Sequence, residues 1–299
     1  MKVLVTGSSG MLGTEVCRVI GEGNQVAGVD KKSPMVRFPE VAFYREDILD
    51  TKAVKKIFDR ENPDIVIHTA AFTDVDGCEK DHETAYLLNT ETVRRIAEIS
   101  KKNGAFFMFI STDFVFEGSK SKPYVENDSP QPVNFYGKTK WEAEKEIARI
   151  LEQYVIARTS WLYGENGRNF VDTIILKAET ETFLRVVNDQ TGCPTYAKDL
   201  AYALRSVILS RGKGGRDIFH ISNSGWCTWY DFAREILKEI DRDGQIKVNP
   251  ISSDELARPA KRPGFSALEI TKFQNATGHK MRPWQEALLD YIRARKKKE

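Results

Sequence analysis

The sequence predicts an α/β fold, a doubly wound parallel sheet followed by a smaller C-terminal domain, and three observations predict it. Apolar runs of strand length alternate with helical segments through the first half of the 299-residue chain. Two of those runs, Ile65-Val66-Ile67-His68 and Phe106-Phe107-Met108-Phe109-Ile110, are nearly continuous, as strands buried on both faces are. Beyond about residue 165 the elements become shorter and the texture changes.

Val3-Leu4-Val5 reads as the first buried strand, followed by a helix through Glu15-Val16-Cys17-Arg18-Val19-Ile20. Gln25 to Val29 is the second strand and ends at Asp30. Val41 to Tyr44 is the third, followed by a polar turn at Glu46-Asp47 and a helix over Ala53 to Phe58. A long helical pattern from Ala85 to Lys101 joins the two apolar runs. Such alternation implies helices on both faces of the sheet and ligands beyond the carboxyl ends of its strands. Residues 1–165 are assigned to the first domain and 166–299 mainly to the second, with later segments free to return to the first. The second half also holds a loop from Ser252 to Ser266 and a terminal helix from Pro283 onward.

Lys and Arg number 45 against 43 Asp and Glu, so bulk charge points to no nucleic-acid partner. The basic run Arg293-Ala294-Arg295-Lys296-Lys297-Lys298 reads as a solvated, frayed helix end. No signal-peptide pattern and no apolar stretch near the roughly 18 residues of a membrane helix is present, so no membrane is expected. Cys17, Cys78, Cys193 and Cys227 are widely spaced with no C-x-x-C pair, which suggests neither a zinc cage nor a disulfide framework. The expectation is a soluble cytoplasmic protein with reduced thiols. A charged fraction of 29% leans towards a heat-tolerant surface.

Gly7, Gly10 and Gly13 follow the first strand and open the first helix. Glycine permits the tight turn and lets backbone amides approach a pyrophosphate, which the positive helix end also favours. The spacing is G-x-x-G-x-x-G, and its position makes a Rossmann-type dinucleotide site the expectation over an ordinary turn. Asp30 ends the second strand, where a carboxylate can accept hydrogen bonds from an adenosine ribose and favours NAD. Lys31 and Lys32 follow and could attract a 2′-phosphate instead. Asp47-Ile48 could meet the adenine amine, although Asp47 could equally cap the next helix. The small residues of Ala70-Ala71-Phe72 would let a cofactor come close.

Tyr136 and Lys140 stand four residues apart in Tyr136-Gly137-Lys138-Thr139-Lys140 and so share one helix face. An ammonium beside a phenol is expected to lower its pKa from about 10, and a phenol so tuned can protonate an oxygen as hydride reaches its carbon. Thr112, just after a buried strand, could orient the same carbonyl, and Asp113 could bind a substrate hydroxyl. Thr112, Tyr136 and Lys140 are therefore the candidate catalytic group.

These residues match the extended short-chain dehydrogenase/reductase family, and the sequence resembles its dTDP-4-dehydrorhamnose reductases most. The resemblance runs through Gly7 to Gly13, Pro63 to Asp76, Ser111 to Phe116, Tyr136 to Lys140, Arg158 to Gly164, Asn169-Phe170-Val171, Val186 to Thr195, and Arg262-Pro263 with Ser266 and Leu268, nearly the whole chain. It implies a substrate-binding second domain and NADH or NADPH held around Gly10, Met11, Leu12, Asp30, Asp47, Ile48, Ala70, Ala71, Phe72, Tyr136 and Lys140. It puts Thr112, Asp113 and Trp161 against a dTDP-4-keto-6-deoxy sugar, and the implied reaction reduces dTDP-4-dehydro-β-L-rhamnose to dTDP-β-L-rhamnose. Some relatives pair as homodimers through a metal, Mg2+ in this reading, held partly by a glutamate of the first helix. Glu15 occupies that region, with an exposed helix charge as the plainer reading. His68-Thr69, Phe114 and Cys193 depart from the family's usual residues.

Arg258, Lys261 and Arg262 could hold a diphosphate or form a solvated loop. Asn169 could bind the nucleotide or cap a helix. Asn89 could bind backbone near the sheet's active end. His220 reads as a satisfied strand residue, and Trp226 and Trp229 as packing. Two other functions fit the scaffold: a nucleotide-sugar epimerase or dehydratase, and a non-catalytic subunit similar to the regulatory subunit of methionine adenosyltransferase. A dehydratase commonly carries an aspartate–glutamate pair after the threonine, and here Phe114 follows Asp113.

Overall fold

The computed structural model describes residues 1–211 and 215–297. The chain runs β1 (Lys2–Thr6), α1 (Met11–Gly21), β2 (Gln25–Asp30), β3 (Val41–Arg45), α2 (Thr51–Glu61), β4 (Ile65–His68), α3 (Val75–Lys80), α4 (His82–Tyr86), a π-turn (Leu87–Glu91), α5 (Thr92–Lys102), β5 (Phe106–Thr112), α6 (Phe135–Ile150) and β6 (Tyr154–Thr159). It continues through β7 (Leu162–Tyr163), α7 (Phe170–Thr180), β8 (Phe183–Val187), β9 (Thr191–Gly192), β10 (Thr195–Tyr196), α8 (Ala197–Arg211), β11 (Arg216–His220), β12 (Cys227–Thr228), α9 (Trp229–Glu239), β13 (Lys247–Ile251), α10 (Thr271–Thr277) and α11 (Trp284–Lys296).

Seven parallel strands form the main sheet in the order β11-β6-β5-β4-β1-β2-β3. Successive side chains of a strand point to opposite faces. Val3 and Val5 of β1 therefore join Ile67, Met108, Val16 and Leu204 beneath α1 and α8. Leu4, Val66, Phe107 and Phe109 face the other way, onto Phe58, Ile96 and Ile147 of α2, α5 and α6. This two-sided burial explains the continuous apolar runs, and each such large side chain stabilises the fold by about 1.5–3 kcal/mol. The chain is doubly wound, as expected.

β11 lies at the edge of this sheet beside β6, so Arg216–His220 packs with the first half of the chain. A further core gathers α7, α9 and α11 around the parallel pair β8–β13, with Phe232, Trp284 and Tyr291 at its centre. The long helical pattern from Ala85 to Lys101 is continuous helical backbone, widened by one π-helical turn at Leu87–Glu91, where the Thr92 hydroxyl donates to the Leu87 carbonyl at 2.7 Å. α11 carries the basic run in helical form as far as Lys296, and Lys298 lies outside the described residues. Among the described residues, no helix is long and apolar enough to cross a membrane.

Candidate active site

β1 pairs with β2 on one side and β4 on the other, and the crevice where strand order reverses opens above their carboxyl ends. A cavity of about 560 Å3 fills it. Gly7, Gly10, Met11 and Leu12 form one wall. Gly7 has φ +71°, and its N–H donates to the Val29 carbonyl at 2.9 Å. A Cβ on Gly13 would lie 2.0 Å from the Gly7 carbonyl oxygen, so only glycine lets α1 start this close to the turn. Asp50, Asn134 and Asn169 cap α2, α6 and α7 with their side chains, whereas α1 starts at Gly10 with no side-chain cap. Its first N–H groups thus have no capping side chain competing for them, which suits an anion.

Asp30 is on the cavity wall with Lys31. Its carboxylate accepts from the Ser9 N–H at 3.1 Å and the Lys32 N–H at 2.9 Å, which fixes it at the end of β2. Asp47 and Ile48 line the same region. Asp47 accepts from the Leu49 N–H at 3.0 Å, and the cap of α2 is Asp50, so Asp47 is not the helix cap. Ala70 and Ala71 also face the cavity, but Phe72 does not line it. Both polar groups of the Phe72 backbone bind Asn89 and its ring tip comes close to Gly77, which holds it off the wall. This turn, carboxylate and cavity fit a dinucleotide.

Thr112 ends β5 directly opposite Thr159 of β6. A 3-10 turn follows at Asp113–Val115, and α6 is pressed against it. A Cβ on Gly137 would fall 2.0 Å from the Phe114 carbonyl oxygen. Asn134 caps α6 by accepting from the Gly137 N–H at 2.8 Å, and also donates to the Lys261 carbonyl at 2.8 Å. One turn beyond Lys140, Glu144 accepts from Ser111 at 2.5 Å and takes both Nε and Nη2 of buried Arg158, at 3.0 and 2.7 Å. α6 is thus tied to β5 and β6, and Thr112, Asp113, Tyr136 and Lys140 all reach the cavity.

The charge states depart from the sequence expectation. Burial pushes the Tyr136 phenol above its ordinary value, and the charge of Asp113 adds to this, while a hydrogen bond with Thr112 pulls the other way. Burial draws Lys140 down to about 7 against the opposing pull of Glu144. The expected depression of the phenol by the lysine is not found: burial, with the charge of Asp113, sets the direction of its shift. The Lys140 ammonium lies 4.0 Å from the centre of the Phe109 ring, a cation–π contact. Asp113 is also raised by burial, to about 7, against hydrogen bonds from Ser266 and Thr112. His68 bonds Thr6 through Nδ1 at 2.7 Å, and burial together with Lys140 lowers it to about 3, so it stays neutral.

Opposite the glycine turn, the wall is aromatic. Trp161 lines the cavity with φ +44°, an uncommon conformation for a bulky residue. Its ring stacks on Trp229 at 3.5 Å and 8°, and Trp229 Nε1 donates to Gln190 at 3.2 Å. Trp229 packs as expected but is also part of the wall, which the sequence did not reveal. Arg168 lines the cavity too. The available signal was a cation in the glycine-containing loop after Trp161. Ser160, Thr73, Val75 and Leu88 were likewise missed.

Asn169 caps α7, accepting from the Asp172 N–H at 2.9 Å. Arg262 clasps Asp76 through two hydrogen bonds of 2.7 and 2.9 Å. His220 bonds the Tyr124 carbonyl at 2.9 Å. Trp226 is exposed. Glu15 is buried, not an exposed charge, and accepts from Arg18 Nε and Nη2 at 3.1 and 2.7 Å. Among the described residues, no group of three His, Cys, Asp or Glu side chains could hold a metal ion, so the Mg2+ expectation finds no ligand set. All four cysteines are buried and free.

The family model described as "RmlD substrate binding domain" matches residues 1–296. The chain is 40% identical over 295 residues to the spore coat polysaccharide biosynthesis protein SpsK of Bacillus subtilis, covering 98% of each. It superposes on a dTDP-4-dehydrorhamnose reductase from Clostridium acetobutylicum with TM-score 0.89 and 38% identity, covering 99% of this chain and 100% of that one. A dTDP-4-dehydrorhamnose reductase from Bacillus anthracis, solved in complex with NADP, gives TM-score 0.89 and 33% identity over 98% of this chain and 99% of that one.

Proposed function

This chain belongs to the family described by the RmlD substrate-binding domain, and on that premise we propose that it reduces the 4-keto group of dTDP-4-dehydro-β-L-rhamnose to give dTDP-β-L-rhamnose, with NADH or NADPH as reductant. The observation that carries the reading is one cavity shared by the glycine turn, Thr112, Tyr136 and Lys140.

The nicotinamide, when bound, supplies the hydride. Gly7, Gly10, Met11 and Leu12 would hold the pyrophosphate end, with Asp30 towards the adenosine ribose, Asp47 and Ile48 towards the adenine, and Ala70 and Ala71 alongside. Tyr136 donates the proton to the ketone oxygen. Its raised pKa keeps it protonated at neutral pH, the form a reductase needs. Thr112 orients the oxygen. Lys140, drawn down to about 7 by burial, would hold the nicotinamide ribose. Asp113 and Trp161 flank the sugar.

Asp30 favours NADH, because a fixed carboxylate at the ribose repels a 2′-phosphate. Lys31 on the same wall pulls in the other direction. A ratio of kcat/KM values above one for NADH over NADPH, inverted or levelled by Asp30→Ala, is the expected result. Phe114 after Asp113 speaks against a dehydratase, and the intact Thr112, Tyr136 and Lys140 speak against a purely regulatory subunit.

The test is NADH and NADPH oxidation on a panel of nucleotide 4-keto-6-deoxy sugars, with the product identified by NMR. Stoichiometric cofactor consumption and a 4-hydroxy product are expected. Isomerised product without net cofactor consumption would identify an epimerase instead.

A further inference from the structure

Arg262 and Asp76 are 186 residues apart in the chain and meet as a clasp. Arg262 Nη1 donates to Asp76 Oδ1 at 2.7 Å, and Nη2 donates to Oδ2 at 2.9 Å. The Ala260 N–H donates to the same carboxylate at 3.2 Å, and Arg262 Nη1 also donates to the Ala260 carbonyl at 2.6 Å. The Arg262 side chain is 11% exposed, and a guanidinium fork shielded from water binds a carboxylate strongly and in one direction. Both Nη groups are engaged, so Arg262 is a fastening and not a free cation for a diphosphate. Pro263, next in the chain, is packed on Gly118, where a Cβ would lie 2.4 Å from the Pro263 Cβ. Residues 260–263 are thus a strap from the second half of the chain laid across the first.

The partners of the strap lie at the start of α6. Asn134 donates to the Lys261 carbonyl at 2.8 Å, which fixes the way its amide faces. Its oxygen is then left to accept from the Gly137 N–H at 2.8 Å. On α3, Glu79 stands three residues beyond Asp76, on the same face, and accepts from the Phe135 N–H at 2.9 Å. These bonds close a ring: Asp76 to Arg262, Lys261 to Asn134, Phe135 to Glu79, and back along α3 to Asp76. Tyr136 sits between Phe135 and Gly137, the two residues whose N–H groups are held from outside the helix. Tyr136 and Val75, the neighbour of Asp76, both line the cavity.

We propose that the Asp76–Arg262 clasp is a latch that sets the position of Tyr136, with Asp76 and Arg262 as positioning residues acting through the first turn of α6. Its effect on turnover rests on the reduction described above. The first N–H groups of a helix have no partner within it, so whatever holds them from outside decides where the first turn lies. Opening the clasp releases the strap, the Lys261 carbonyl leaves Asn134, and the start of α6 loosens. Displacing a reacting group by about 1 Å costs about 10²-fold in rate, even when the change is made far from the chemistry. The glycine turn and α1 lie outside the ring, so cofactor affinity is spared.

The variants are Arg262→Gln, which removes the guanidinium fork, Asp76→Asn, the two combined, and Arg262→Lys, which keeps the charge without the fork. Arg282→Gln is the comparison: it opens a similar clasp, two bonds of 2.8 Å to Asp199, where neither residue lines the cavity. Arg262→Gln should lower kcat by about 10–100-fold with NADH affinity unchanged in a fluorescence titration. Arg262→Lys should fall between it and wild type, and carries the test if Arg262→Gln does not fold. The double variant should turn over no more slowly than the slower single one, because both changes open the same latch. Hydrogen exchange needs no substrate: the Phe135 and Gly137 amides should exchange faster in Arg262→Gln and Asp76→Asn than in wild type, and not in Arg282→Gln. Wild-type kcat in Arg262→Gln, unchanged exchange at those two amides, additive losses in the double variant, or equal losses in Arg282→Gln would overturn the latch. A wild-type enzyme that reduces no keto sugar would overturn the functional reading instead, and exchange at Phe135 and Gly137 would still decide whether the clasp orders α6.

Discussion

Asn89 grips the Phe72 backbone at both of its polar groups: the Phe72 N–H donates to Asn89 Oδ1 at 2.8 Å, and the Asn89 amide donates to the Phe72 carbonyl at 3.0 Å. The same amide donates to the Thr139 hydroxyl at 3.2 Å, one residue before Lys140. The loop leaving β4, the π-turn and α6 are thus pinned by one side chain, and π-turns recur at functional sites. Asn89→Ala would leave the Phe72 N–H without its partner and the Phe72 carbonyl with only the Cys78 thiol, 3.4 Å away. It should destabilise the protein by about 3 kcal/mol in urea unfolding and lower kcat as well. An unfolding midpoint equal to wild type would show that the contact is dispensable.

Tyr136→Phe removes the proposed donor and little volume. Turnover should fall by about 10²–10⁴-fold, with NADH affinity kept in a fluorescence titration. Near-normal turnover would reject the assignment of Tyr136.

Gly137→Ala puts a methyl 2.0 Å from the Phe114 carbonyl oxygen, which α6 can relieve only by moving off the turn at Asp113–Val115. The expected loss is about 1–3 kcal/mol of stability, typical of overpacking, together with a larger proportional loss of kcat than of cofactor binding. Separate denaturation and kinetic measurements on the purified variant would check it. A variant of wild-type activity would mean that the tyrosine tolerates displacement of its helix.

Lys140 has a definite pH signature. Its pKa is about 7 in the folded protein and about 10.4 in an unfolded chain, so between these values the unfolded state binds more protons. Stability contributed at this position therefore rises with pH from about 7 to 10.4, and the penalty of burying the ammonium is full below 7. Lys140→Met should be more stable than wild type at pH 6, with the advantage shrinking towards pH 10, and should be catalytically impaired. Chemical denaturation at several pH values measures this. A stability difference independent of pH would mean that the lysine is not desolvated.

What was legible in the sequence was what chemistry makes local. Gly7 and Gly13 stand out because the turn tolerates no Cβ at either, and Tyr136 with Lys140 because helical periodicity brings them together. The strands of the main sheet were readable because burial on both faces leaves unbroken apolar runs. The remainder depends on distance along the chain or on depth. Ser266 meets Asp113 across 153 residues, and no spacing rule announces such a pair. Trp229 looked like packing because it does pack, on Trp161, while also forming the wall. The π-helical turn at Leu87–Glu91 left the helical apolar pattern undisturbed. The upward shift of Tyr136 depends on burial that only the assembled fold provides.

The late strand Arg216–His220 completes the sheet beside Tyr154–Thr159. During synthesis, β6 must therefore wait until the chain has been made as far as His220 before its free edge is sealed. A truncated product ending near residue 165 would expose that unpaired hydrogen-bonding edge, which invites aggregation. Exchanging the second half of the chain between relatives would need to leave Arg216–His220 with the first half, so a splice that honours the weave needs two junctions, not one.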